Sequence, residues 1–158
     1  MNREIRSFDY VNHPYARVRD ALVQDPAGVL RAATNAAVSR AKAVATALRV
    51  NLGPLDIAAE IAVTVGAISE QTDHAPITRI PIAWSAAQNA AVFPTMNAEL
   101  SIYPLTSTET QLDFLGAYEP PLGIVGGALD AMVGHRIAEA SIHRLVSDVA
   151  NYLREHLK

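Results

Sequence analysis

The run LDFLGAYEPPLGIVGGALDAMVGHRIAEASIHRLVSDVANYLREHL, residues 112–157, joins two periodicities end to end. In its first part Leu112, Phe114, Gly116 and Tyr118 alternate with Asp113 and Glu119, the period-two pattern of a strand with one dry and one wet face. Pro120 and Pro121 stop that pattern. From about Leu122 to Leu157 the spacing is that of a single helix, and roughly 35 residues at a rise of 1.5 Å give about 50 Å. That exceeds the width of a domain of this size, so the helix must lie across the sheet or project beyond it.

Placed at helical angles, the second half of this helix sorts into two faces. Arg144, Ser147, Asp148, Asn151, Arg154 and Glu155 share one side, while Ala138, Ile142, Leu145, Val146, Val149 and Leu153 share the other and face the sheet. Carried back toward the N-terminus, the apolar stripe meets Ile124, Gly127, Ala128, Ala131 and His135. Large aliphatic groups fill the space at the C-terminal end, whereas Gly and Ala do not. From the helix alone, two readings stand: close helix–sheet packing over the small residues, or a void beneath them.

The upstream chain supplies the sheet. Residues 4–12 read as a strand ended by His13-Pro14, with Pro14 expected as the first helical residue of a short helix carrying Val18, Ala21 and Leu22 on one side. Asp25-Pro26 repeats the signal, an N-cap followed by proline, and a second helix is expected to about residue 41. A hairpin through Gly66 follows, its second strand marked by Ile57, Ala59, Ile61, Val63 and Val65. After a polar loop at 69–76, Ile80, Ile82 and Trp84 alternate with Arg79 and Ser85. Met96, Ala98, Leu100 and Ile102 then alternate with polar neighbours up to Pro104, which is expected to close that strand. Half-apolar strands with short connections make an antiparallel sheet. No repeat or linker divides the chain, so residues 1–158 read as one domain of an α+β class.

Composition excludes several functions. Of the 158 residues 50% are apolar and 18% charged, which excludes intrinsic disorder. A net charge of −3 without a basic patch gives no reason to expect nucleic acid or an anionic membrane surface as partner. With no cysteine there is no disulfide, thiol nucleophile or thiolate metal site. The N-terminus lacks the apolar core of a signal peptide, and no stretch approaches the roughly 20 apolar residues of a spanning helix. The expectation is a soluble, cytoplasmic protein.

The order strand, two helices, antiparallel strands and long C-terminal helix resembles the START/Bet v 1-like (SRPBCC) superfamily of polyketide cyclase/dehydrase and lipid-transport proteins. The matching residues are the strand running into His13-Pro14, then Val18, Ala21-Leu22 and Asp25-Pro26; the exit Tyr118-Glu119-Pro120-Pro121 looks similar to one uncharacterised branch. These motifs mark turns and helix starts, none of them catalytic. The resemblance implies a helix-grip fold, a curved sheet wrapped around the long helix with two short helices after the first strand. It also implies an apolar cavity between sheet and helix, lined by Trp84, Met96, Phe114, Tyr118, Ala128, Ala131, Met132 and His135. Members include carriers, receptors, cyclases and co-chaperones, so one activity does not follow.

Chemistry in the sequence is sparse. His135 falls on the inward face among Ala128, Ala131 and Ala138, where an imidazole serves a ligand or acts as acid/base, or else bonds a backbone carbonyl or Glu139. Trp84 and Tyr118 supply aromatic wall with one N–H and one O–H, or act as plain core. His135, Glu139 and His143 at i, i+4, i+8 are the nearest approach to a metal site, but they match no zinc motif, so neither a metal nor another cofactor is expected. Leu129, Val133, Ile137 and Ala140 form an apolar strip on the helix's other side, suited to the short helices or to a second subunit; a monomer and a homodimer both fit. The leading expectation is a carrier or binding protein for a small apolar molecule such as a lipid, isoprenoid or polyketide. The alternatives are a cyclase or dehydratase using His135 and Tyr118, and a protein-interaction module.

Overall fold

The computed structural model describes residues 3–31, 33, 61–86, 95–119 and 131–157, with backbone alone at 61–62, 84–86, 95, 119, 131–134 and 137. Its elements are β1 (Arg3–Val11), α1 (Tyr15–Gln24), the helical turns of α2 at 26–31, β2 (Ile61–Val65), β3 (Ser69–Gln71), β4 (Ile77–Ala86), β5 (Thr95–Thr106), β6 (Glu109–Glu119) and the long helix α3 (Ala131–His156). The expected end of the second helix, the first strand of the hairpin before β2 and the start of the long helix before Ala131 lie outside the described residues.

Among the described residues all pairings are antiparallel, in the order β1-β6-β5-β4-β2, with β3 also on β4. Register aligns the inner face into rows. Val63, Trp84, Met96, Tyr118 and Arg3 stand opposite one another across five strands. Two residues along each strand, Val65, Ile82, Ala98, Gly116 and Ile5 form the next row, and Ile80, Leu100, Phe114 and Ser7 the one after. The buried positions follow the alternation of the sequence: Ile80, Ile82, Met96, Leu100, Ile102, Leu112, Phe114 and Tyr118 are all 3% exposed or less.

The long helix packs chiefly against β1 and touches β6. Ala138, Ile142, Leu145, Val146, Val149 and Leu153 are buried, so the face read from the sequence is the one that meets the sheet. Its C-terminal end is fastened by Arg154, which donates to Asp9 Oδ1 at 3.0 Å and to the carbonyl of Tyr10 at 2.6 Å. Val18 and Leu22 of α1 and Val29 and Leu30 of α2 complete the core. The second helix begins as expected, since Asp25 Oδ1 accepts the Gly28 N–H at 3.1 Å and Pro26 opens the first turn.

Three local expectations are corrected. Pro14 is the N-cap of α1, with ψ 148°, and not its first helical residue. The stretch 69–76 is not all loop, because Ser69–Gln71 pairs with β4; exposed polar side chains conceal an edge strand that carries no buried face. Pro104 does not close β5, which runs on to Thr106. The proline sits beside a register shift and beyond the last pairing with β4 at Ile102, where a missing N–H is tolerated. Pro81 occupies a similar gap in β4, between the stretch paired with β3 and that paired with β2, and its carbonyl accepts the Gly66 N–H at 2.9 Å.

Candidate functional site

Two hydroxyls on the inner sheet face reach two histidines on α3. Tyr118 of β6 is 1% exposed and Ser7 of β1 is 2% exposed. The Tyr118 hydroxyl lies 2.6 Å from His135 Nδ1, with the rings stacked at 5.9 Å and 26° between planes. The Ser7 hydroxyl lies 2.8 Å from His143 Nδ1. Glu139, one helical turn from each histidine, faces both, 3.9 Å from His135 Nε2 and 3.7 Å from His143 Nε2. Those separations are longer than a direct hydrogen bond.

Arg3, opposite Tyr118 in register, donates to the same phenol. A guanidinium only donates, so it takes a phenol lone pair. Burial pushes the Tyr118 phenol above its ordinary value; Arg3 pulls it down, and the Glu139 charge adds to the rise. The cluster is thus a polarised, proton-holding phenol at the rim of an apolar wall.

That wall is close-packed around Gly116. A Cβ on Gly116 would stand 2.6 Å from Met96 Sδ, 3.1 Å from Ala98 Cβ and 3.1 Å from Phe114 Cε1. Glycine therefore lets the Met96 side chain lie across β6 next to Tyr118. Among the residues the sequence singles out, Met96, Phe114 and Tyr118 share the buried inner face. His135 stands at the helix margin with 37% of its side chain exposed, bonded to Tyr118 and not to a backbone carbonyl. Trp84 is placed by register opposite Met96, but its side chain lies outside the described residues, as do those of Ala131 and Met132 and the whole of Ala128. In the outer strip, the whole of Leu129 and the side chains of Val133 and Ile137 lie outside them too.

Sequence reasoning missed Ser7 and Arg3. The one available signal for Ser7 was a hydroxyl at an inward position between Ile5 and Val11. For Arg3 there was none, because its role comes from the register of β1 on β6. Among the described residues no three His, Asp or Glu side chains gather closely enough to hold a metal ion, and no helix is long and apolar enough to cross a membrane.

Neither a protein-family model nor a curated protein matches the sequence. Solved structures do match over nearly the whole chain. The Zhui aromatase/cyclase from Streptomyces sp. R1128 superposes with a TM-score of 0.50 at 13% identity, covering 100% of this chain and 97% of that one. A conserved protein from Geobacillus kaustophilus gives 0.50 at 12% identity, over 98% and 96%. The protein TTHA0849 from Thermus thermophilus gives 0.48 at 13%, over 99% and 100%. At such identities the likeness concerns the fold.

Proposed function

From a chain that has the helix-grip fold of the START/Bet v 1-like superfamily, we propose binding or transport of a small hydrophobic molecule between the sheet and α3. A lipid, an isoprenoid or a polyketide-like compound fits this class. The observation that carries the reading is the inner wall itself: Ile82, Met96, Ala98 and Phe114 are apolar, with the Arg3–Tyr118–His135 cluster at one rim and the Ser7–His143 pair beside Phe114. Such a surface gives a ligand apolar area along its length and a hydrogen-bonding head position at one end. We assign Trp84, Met96, Phe114, Tyr118, Ala128, Ala131, Met132 and His135 to the ligand site. Operation in a reducing cytoplasm fits a chain without cysteine.

Native mass spectrometry of the purified protein, paired with analysis of its organic extract, tests the proposal. The expected result is an apolar molecule retained in the native spectrum and released on denaturation. A protein that carries nothing and takes up no fatty acid, isoprenoid alcohol or aromatic ketone from a panel overturns it.

The 2.6 Å contact between Tyr118 and His135 supports a second reading, a cyclase- or dehydratase-type enzyme. In it Tyr118 orients a substrate carbonyl by its hydroxyl, and His135 passes a proton to or from the reacting carbon. Ring closure or loss of water from a poly-β-ketone analogue, abolished by His135→Ala, is the expected result. A substrate bound but returned unchanged removes this reading and leaves the first intact.

A further inference from the structure

We propose a second small-molecule site on the outer face of the sheet, suited to a planar aromatic carboxylate. A groove of about 530 Å³, open to solvent, lies where β3, β4, β5 and the turn at 72–76 meet. Its Ile77, Arg79 and Tyr103 belong to the face opposite the helix, since they alternate with Thr78, Ile80 and Ile102, which are buried inward. It is thus separate from the helix–sheet interior and independent of the function proposed above.

The chemistry of the groove is that of an anion site with an apolar floor. Arg79 contributes a guanidinium, and no Asp or Glu is among the lining residues. The nearest carboxylate is Glu99, 3.6 Å from Arg79 Nε and already accepting the Ser101 hydroxyl at 3.3 Å. Among the described residues nothing bonds the two terminal nitrogens of Arg79, the edge that grips a carboxylate with two parallel hydrogen bonds. The side chains of Gln71, His74 and Tyr103 line the same space, and among the described residues none of them has a hydrogen-bond partner. Ile77, Pro76 and Pro104 supply rigid apolar area against which a flat ring can lie. A carboxylate on Arg79, a ring over Ile77 and the prolines, and a polar substituent toward Gln71, His74 or Tyr103 match the chemistry of these groups.

Titration of the full chain with para-hydroxybenzoate, followed by amide nitrogen–proton correlation spectra, tests the assignment. Expected are saturable shifts at Gln71, His74, Ile77, Arg79 and Tyr103, with a dissociation constant on the order of millimolar. Arg79→Gln should weaken binding about tenfold, the usual effect of losing a charge-assisted pair, and the neutral para-hydroxybenzamide should bind correspondingly less. Gln71→Ala, which removes a side chain that bonds nothing among the described residues, gives a second measure and should weaken binding several-fold. Shifts centred instead on Tyr118 and His135, equal binding of acid and amide, or equal binding by inorganic phosphate would overturn the proposal. So would affinity unchanged in both variants.

Discussion

The Ser7 hydroxyl and Nδ1 of His143, 136 residues apart in sequence, meet at 2.8 Å across the interface between β1 and α3. Ser7 is buried, so its hydroxyl must find a partner inside the protein, and His143 is the group that reaches it. One helical turn away Glu139 faces both His143 and His135, and His135 holds Tyr118. The helix is thus seated on the sheet by two hydroxyl–imidazole contacts with one carboxylate between them.

Ser7→Ala should lower unfolding stability by about 1 kcal/mol, the net value of a hydrogen bond of this kind. A double-mutant cycle with His143→Ala isolates the contact. The expected coupling is about 1 kcal/mol by denaturant unfolding, and strictly additive losses would mean that the two side chains do not interact in solution.

Tyr118→Phe removes the phenol but keeps the ring. The expected loss is about 1–2 kcal/mol, because His135 and Arg3 both lose a partner while the buried area stays almost constant. Ligand affinity should fall about tenfold if the phenol orients a bound head group. Unchanged affinity for every molecule recovered from the native protein would place the head group elsewhere.

Alkaline pH gives a separate readout of the same residue. Burial raises the Tyr118 phenol above its ordinary value, against the pull of Arg3 and with the charge of Glu139. The folded state therefore holds the phenolic proton more tightly than the unfolded chain does. The associated stability is complete below about pH 10, the unfolded value, and is lost as pH rises through the folded-state value. Unfolding midpoints should decline above that pH in the wild type, and the decline should be shallower in Tyr118→Phe.

Gly116→Ala should cost about 1–3 kcal/mol through overpacking. The Met96 sulfur can swing away from the new methyl, but the Ala98 Cβ at 3.1 Å sits on backbone that cannot. The displaced Met96 side chain must then move over the inner wall. Uptake of apolar ligands should drop with stability, and a variant as stable as the wild type would show that the wall is looser than its geometry.

Ile142→Ala separates plain core from ligand site. Ile142 is fully buried on the sheet-facing stripe of α3, so truncation should cost about 2–5 kcal/mol. At temperatures where the variant remains folded, ligand affinity should be unchanged. A selective loss of binding would extend the site further toward the C-terminal end of the helix than the residues assigned to it.

Much of the architecture is legible because burial repeats at short intervals. Leu112, Phe114, Gly116 and Tyr118 mark one sheet face through their spacing, and Ile142, Leu145, Val146, Val149 and Leu153 mark the matching helix face. Ser69–Gln71 was not legible, since an edge strand exposed on both faces leaves no alternation of polarity. Pro104 misled because a proline ends a strand only where its N–H is needed for pairing.

The amino-acid order by itself determined the class of fold, the inward faces of β4, β5, β6 and α3, and the prominence of Tyr118 and His135, but not the inward face of β1, where Phe8 and Tyr10 are exposed. Only the tertiary structure decided that these two residues touch, that Arg3 shares the phenol and that Ser7 holds His143. Periodicity is a local property that reports which side of an element is dry. Pairings such as Ser7 with His143 depend on strand register and on how the helix crosses the sheet, and both are set by packing across the whole chain.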